Sequence, residues 1–222
     1  MRPDVSGPNG SARSFVQAYT TQSRAPLVPE LELHLATEVT PLWHATAELL
    51  ADHDPLPFWA FAWPGSQALA RLCLDRPAIV RGRRVLDFAA GSGLAAIAAM
   101  RAGAASALAA DVDAFFAAAV ELNAALNGVR VETTSRDLLG EPLEDVDVVL
   151  AGDIFYERDM AERAMRWFRR LTAHGKRVLV GDPGRIYSPR AGLTEVARFV
   201  VPTSRELEDG DERVTVVAEV VA

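Results

Sequence analysis

The sequence predicts an α/β fold built on a parallel sheet, and three observations predict it. Arg84–Leu94 passes from a short apolar run through a turn of small residues into the alanine-rich stretch Gly91–Ala102, the order strand, turn, helix. Further apolar runs at 107–110, 147–152 and 177–180 each lead into an aspartate, Asp111, Asp153 and Asp182, with helical patterns between them. The length of 222 residues fits one such domain with a sizeable core.

The bulk numbers exclude several function classes. A net charge of −7 argues against a phosphate backbone as partner, so no nucleic acid is expected. No apolar run reaches membrane-span length unbroken, and Met1–Gly10 lacks the apolar centre of a secretion signal. The single cysteine, Cys73, excludes an internal disulfide and a cysteine metal cluster, and its apolar neighbours predict a buried thiol. His34, His44, His53 and His174 show no metal-ligand spacing, so no metal is expected. A cytoplasmic monomer fits these features.

The elements follow in order. Residues 1–24 are rich in Ser, Gly and Pro and predict a loose arm, with a short helix near Phe15–Tyr19. Residues 25–83 read as a helical and aromatic segment packed on the core at 84–222. Leu31, Leu33 and Leu35 alternate with polar residues as an extended piece. Thr40-Pro41 opens a helix whose apolar face is Leu42, Trp43, Thr46, Leu49 and Leu50. Phe58 to Trp63 crowds aromatics before a Pro64-Gly65 turn and a helix from Ser66 to about Asp75. Phe58 reads as plain packing; Trp63, at a helix entrance, reads as a cover for a ligand.

The central turn carries the chemistry. Small residues let a ligand touch backbone, and the helix start offers free N–H groups. Gly91-Ser92-Gly93-Leu94-Ala95-Ala96 satisfies the loose dinucleotide pattern G-x-G-x-x-G/A. Asp87, just ahead of the turn, decides for S-adenosylmethionine. Its carboxylate suits that molecule's cationic end and would repel a pyrophosphate. Gly91 and Gly93 then form the cofactor turn, and Gly103 ends the helix.

Asp111 stands at the next strand's end, where a ribose diol is held, while Asp113 reads as the cap of the helix Ala114–Leu126. Asn123 and Asn127 read as capping or packing groups. Asp137, past the strand Val129–Thr133, suits an adenine amino group or, equally, an Asx turn. Asp153, past the strand 147–152, with the aromatic Tyr156 three residues on, can grip and wall an amine. Residues 157–171 read as a helix with a solvated charged face. The turn Gly181–Arg185 should lie beside Asp153, so that Asp182 faces the same pocket, or else it is a proline-glycine turn with a surface arginine. Two final strands, 196–201 and 213–220, flank an acidic loop as a closing hairpin.

Together these residues resemble the seven-β-strand S-adenosylmethionine-dependent methyltransferases. The closer resemblance is to the electron-transfer flavoprotein β-subunit lysine methyltransferases, carried by Pro57–Leu69, Val85-Leu86-Asp87, Gly152–Tyr156 and Gly181–Arg185. The resemblance implies a Rossmann-like seven-stranded sheet, helices on both faces and the last strand antiparallel. It implies S-adenosylmethionine as cofactor, with S-adenosylhomocysteine as product, held by Trp63, Asp87, Ala89, Gly91, Gly93, Asp111, Asp137 and Asp153. It also implies Asp153 and Tyr156 at the substrate lysine, in-line attack of a neutral ε-amine, and the flavoprotein β-subunit as protein partner. Phe155, Asp182 and Arg185 would line the substrate site. Asp153-Ile154-Phe155-Tyr156 is similar to the polar-x-x-aromatic motif of amino-group methyltransferases. One departure stands out: Ala89 occupies a glycine position of the general motif, which alanine tolerates if φ stays negative. A small-molecule N-methyltransferase for a nicotinamide-like amine and a silent cofactor-binding scaffold are the rival readings.

Overall fold

The computed structural model describes residues 8–36, 42, 45–46, 57–205 and 207–221. The chain opens with helix α1 (Pro8–Tyr19) and a separate hairpin of β1 (Thr21–Arg24) and β2 (Glu32–Leu35). The expectation of a loose arm is therefore corrected from Pro8 onward. Phe15 and Val16 are buried, and the Phe15 ring stacks on Phe115 with centroids 4.5 Å apart. Of the helix expected from Pro41, only Leu42, Ala45 and Thr46 lie within the described residues, where the Thr46 hydroxyl donates to the Leu42 carbonyl.

The next elements are α2 (Pro64–Asp75), β3 (Arg84–Phe88), α3 (Leu94–Arg101), β4 (Ser106–Ala110), α4 (Phe116–Leu126) and β5 (Glu132–Thr134). After them come β6 (Val148–Gly152), α5 (Arg158–Ala173), β7 (Arg177–Asp182), β8 (Leu193–Pro202) and β9 (Glu212–Val220). The main sheet has the order β5-β4-β3-β6-β7-β9-β8. Its strands from β3 to β7 pair in parallel, and β9 runs antiparallel between β7 and β8. The strand order reverses between β3 and β6, so the crevice for a ligand lies beyond the carboxyl ends of these two strands.

Period-2 alternation divides each central strand between two cores. Val85, Val148 and Leu150 face the side of α2, α3 and α4; Leu86, Phe88, Val149 and Ala151 face α5. Helix α5 buries Ala161, Ala164, Met165, Trp167, Phe168 and Leu171, a stripe at helical spacing, and pairs Asp159 with Arg163 and Glu162 with Arg166 on its wet face. Helix α3 starts at Leu94 rather than Gly91, because Gly91 (φ 51°) and Gly93 (φ 75°) hold the turn in the left-handed region. Asn123 and Asn127 of α4 clamp the edge of β2: their Oδ1 atoms accept the N–H groups of His34 (2.7 Å) and Glu32 (3.0 Å). Asn123 also donates to the Ser92 carbonyl at 2.9 Å, tying the N-terminal hairpin to the central turn.

One contact sets how deep α2 sits. A Cβ built on Gly65 would lie 2.2 Å from the Gly181 carbonyl oxygen, and one on Gly181 would lie 2.3 Å from the Gly65 carbonyl oxygen. Gly152 faces the Ser66 nitrogen at 2.7 Å in the same way. Three glycines thus let the first turn of α2 rest directly on the ends of β6 and β7.

Because the clash is with backbone, Gly181→Ala should destabilise by about 3 kcal/mol, lowering the thermal midpoint by roughly 6–12 °C. Gly128→Ala meets nothing within 4 Å and carries only the strain of its φ of 63°, so it should cost about 1 kcal/mol. Equal losses in a thermal melt would contradict the close approach.

Candidate active site

The turn after β3 is a tight, acidic, backbone-lined cradle. Ala90 donates to the Ala110 carbonyl at 3.1 Å and Gly93 to the Ala90 carbonyl at 2.8 Å. A Cβ on Gly93 would strike Val120 at 2.7 Å, and one on Gly91 would come 3.2 Å from the Phe58 carbonyl oxygen. Ala89 adopts φ 54°. The condition under which alanine is tolerated, a negative φ, is not met: this residue sits in the left-handed region that glycine favours, at a strain of roughly 1–2 kcal/mol.

Asp87 is buried beneath the turn, and its Oδ2 accepts the Ala96 N–H at 2.9 Å, inside the first turn of α3. Burial pushes its carboxyl up to about 8, against that hydrogen bond, with Asp111 adding repulsion. Asp111 closes the cradle from β4: its Oδ2 accepts the Gly91 N–H at 2.9 Å and its Oδ1 the Asp113 N–H at 3.1 Å. Asp113 accepts the Phe115 N–H at 2.7 Å ahead of α4, and its carboxyl is lifted to about 6, chiefly by burial. Among the described residues no arginine or lysine pairs with any of these three aspartates. Asp137 lies at the same edge past β5, exposed, with its Oδ1 accepting the Leu139 N–H at 2.9 Å. That is the Asx turn of the two readings.

The second half of the site surrounds Asp153, which is 9% exposed and has φ 57°. Aspartate reaches this left-handed conformation more easily than most residues. Asp153 Oδ2 accepts the Gly65 N–H at 2.6 Å, capping α2 from across the sheet, where helices leave N–H groups free. Asp153 Oδ1 accepts from Arg185 Nη2 at 2.7 Å and Nε at 3.2 Å. Burial lifts the Asp153 carboxyl to about 6, with Arg185 pulling it the other way.

Arg185 is therefore not the surface arginine of one reading; it packs 5.8 Å from the Trp63 ring centroid and also bonds Glu208. Asp182 is buried beside it, but its oxygens accept the Gly184 and Arg185 N–H groups, so it shapes the turn that carries Arg185.

The aromatics sort differently from expectation. Phe155 is fully buried in the α5-side core, so it cannot wall an incoming amine. Tyr156 is 50% exposed and stacks on Phe58 with centroids 5.5 Å apart. Phe58, expected as plain packing, also meets Trp63 at 5.5 Å, and the Trp63 indole donates to the Phe58 carbonyl at 2.9 Å. The rim beside Asp153 is thus Phe58, Trp63 and Tyr156. Sequence reasoning missed Glu208, one acid in an acidic run, and the Gly65/Gly152/Gly181 set, whose spacing across 117 positions has no local signature.

A family model described as ribosomal protein L11 methyltransferase (PrmA) matches residues 65–159. Among curated proteins, the chain is 42% identical over 175 residues to the electron transfer flavoprotein beta subunit lysine methyltransferase of Xenopus laevis, a match covering 78% of this chain and 70% of that one. The Mus musculus protein of the same name is 38% identical over 193 residues, covering 84% of this chain and 75% of its own. Among solved structures, the magnesium protoporphyrin IX methyltransferase of Synechocystis PCC 6803 with bound SAH aligns with a TM-score of 0.51 at 16% identity, over 71% of this chain and 83% of that one. The tRNA (uracil-54, C5)-methyltransferase of Pyrococcus abyssi aligns with a TM-score of 0.52 at 16% identity, over 70% and 38%. These two likenesses speak for the fold.

Ala89→Gly removes the left-handed strain and should stabilise the protein by about 1 kcal/mol in urea unfolding; an unchanged or lower midpoint would contradict the backbone assigned to Ala89. The buried Asp87 carboxyl holds its proton more tightly in the folded protein than in the unfolded chain. Folding therefore takes up a proton between about pH 4 and 8, and stability falls as pH rises through that window. Asp87→Asn should remove the share of this fall that Asp87 causes, so the cofactor-free variant gains on the wild type from pH 5 to 9 and matches it near pH 4. A constant difference across the range would count against a buried, unpaired carboxyl.

Proposed function

The chain belongs to the electron transfer flavoprotein beta subunit lysine methyltransferase family, and from that premise we propose that it transfers methyl groups from S-adenosylmethionine to lysine ε-amines of that flavoprotein subunit. The observation that carries the reading is Asp153: a buried carboxylate at the strand switch point, fixed by a helix N-terminus and rimmed by Phe58, Trp63 and Tyr156. An acid behind aromatic walls suits a cation on a long methylene stem.

The donor set of the cradle fits the cofactor. Among the described residues Asp87, Asp111 and Asp113 pair with no basic side chain, and the turn is lined by backbone. This suits a cationic ligand with a ribose diol and opposes a pyrophosphate. Asp111 would hold the diol, Ala89 to Gly93 would lie against the ligand through their backbone, and Asp87 would sit beneath its charged end. Asp137 spends Oδ1 on its Asx turn and would have Oδ2 left for the adenine amino group. When bound, S-adenosylmethionine supplies a methyl carbon already activated by its sulfonium.

The chain's own task is then to position the amine. A lysine near its ordinary pKa of about 10.4 must lose a proton, costing about 5 kcal/mol at neutral pH. Asp153 draws in the ammonium and orients the nitrogen once the proton has left to solvent, while Tyr156 and Phe58 wall the stem. The half-exposed Tyr156 keeps the rim open, which favours a lysine on a protein over a small enclosed amine. Among the described residues no helix is long and apolar enough to cross a membrane. Cys73 is buried with its thiol pushed up to about 12, so it takes no nucleophilic part. We place the chain in the cytoplasm as a monomer that acts without nucleic acid.

The test supplies isotope-labelled S-adenosylmethionine with purified electron transfer flavoprotein, a nicotinamide panel and a cell extract. Label is expected on lysines of the flavoprotein beta subunit; label only on a small molecule would overturn the reading. Asp153→Asn keeps the left-handed backbone and an acceptor for Gly65 while removing the charge. It should lower turnover by about a hundredfold or more with cofactor affinity retained.

A further inference from the structure

The loop between β8 and β9 reads Glu206-Leu207-Glu208-Asp209-Gly210-Asp211, an acidic run of the kind that normally stays in water. Glu208 does not. Its side chain is 2% exposed, while Asp209 beside it is fully exposed. Glu208 takes the end-on fork of Arg185: Oε1 accepts from Nη2 at 2.5 Å and Oε2 from Nη1 at 3.1 Å. Oε2 also accepts from Arg213 Nε at 3.1 Å. Paired bonds of this kind fix a guanidinium in both direction and plane.

The consequence falls on Asp153. Arg185 spends Nε and Nη2 on Asp153 Oδ1 alone, and Gly65 takes one lone pair of Oδ2. A carboxylate offers about four acceptor positions, so one remains open on Oδ2. Without Glu208, the guanidinium would be free to turn and grip both oxygens of Asp153 as a closed, neutral pair. We propose that Glu208 is a positioning residue for methyl transfer: by holding the fork of Arg185 it confines the guanidinium to one oxygen of Asp153 and keeps the other open to the incoming lysine ammonium. This rests on the lysine methyltransferase reading above. It gives the C-terminal hairpin, a part of the chain distant in sequence from the cofactor turn, a defined role in the acceptor site.

The charges acting on Asp153 are Arg185, which lowers its carboxyl, and Glu208, which raises it. Arg213 reaches it through Glu208, and Asp182 is bound into its own turn. Glu208→Gln keeps size and polarity but cannot accept both arms of the fork. The expected result is a rise of about tenfold in KM for the protein substrate with cofactor affinity, by calorimetry, unchanged. Glu208→Asp, which keeps the charge one methylene short, should lose less.

In an Arg185→Gln background the same Glu208→Gln change should add little, since its effect runs through the guanidinium. Independently of turnover, the carbon-13 titration midpoint of the Asp153 carboxyl should move down in Glu208→Gln. The proposal is overturned if KM is unchanged, if cofactor affinity falls in step with KM, if the loss is the same without Arg185, or if the Asp153 midpoint stays put. Should the wild type put no label on the flavoprotein, the substrate reading fails, while the titration still decides whether Glu208 governs Asp153.

Discussion

The first turn of α2 rests on the carboxyl ends of β6 and β7 with no side chain between, and the site depends on that contact. Gly65, Gly152 and Gly181 bring the backbones together. The approach delivers the Gly65 N–H to Asp153 and holds Asp153 in its left-handed conformation. It also places Trp63, the residue before the helix, against Phe58 and Arg185. A segment ahead of the parallel core thus supplies one wall of the acceptor site, and a methyl group on any of the three glycines would push that wall out of place.

Two buried aspartates at the switch point sit in opposite surroundings. Asp87 has one backbone donor and a neighbouring acid, and its carboxyl rises to about 8. Asp153 is just as buried but has a guanidinium, and its carboxyl reaches only about 6. Near neutral pH the second is therefore the better ionised. A cationic ligand over the first would favour its ionised form too, so the acid that burial makes hardest to ionise is also the one a cation would gain most from. Ala89 adds backbone strain at the same turn, which fits the tendency of functional sites to hold conformations that the rest of the fold must enforce.

The parallel core was legible because its signals are local. Apolar strands, the small-residue turn and the aspartates at strand ends follow from period and position, and Asp87, Asp111 and Asp153 lie where those patterns put them. What was not legible depends on contacts distant in sequence. The N-terminal arm reads by composition as loose with a short helix near Phe15–Tyr19, yet Phe15 finds Phe115, and Asn123 of α4 and Asn127 at its end clamp β2. Phe155 and Tyr156 are adjacent, and only the strand's exit direction decides that the first enters the core while the second reaches the rim. Glu208 looked like one more solvated acid because its two arginines lie 23 residues before it and five after it.

Donor and acceptor halves also draw on different lengths of chain. The turn and its three aspartates lie between residues 87 and 113, and the stretch matched by the L11 methyltransferase model ends at residue 159, past Asp153 and Tyr156. Arg185 and Glu208 lie beyond it. The cofactor turn and Asp153 thus lie within the matched stretch, while the charged groups that bear on Asp153 come from residues after it. Asp153 stands where the two meet: its backbone and one oxygen belong to the α2 contact, and its other oxygen belongs to the β7 turn and the β8–β9 hairpin. Seating the hairpin loop, which buries Glu208, therefore fixes the charge that meets Arg185 and, through it, Asp153.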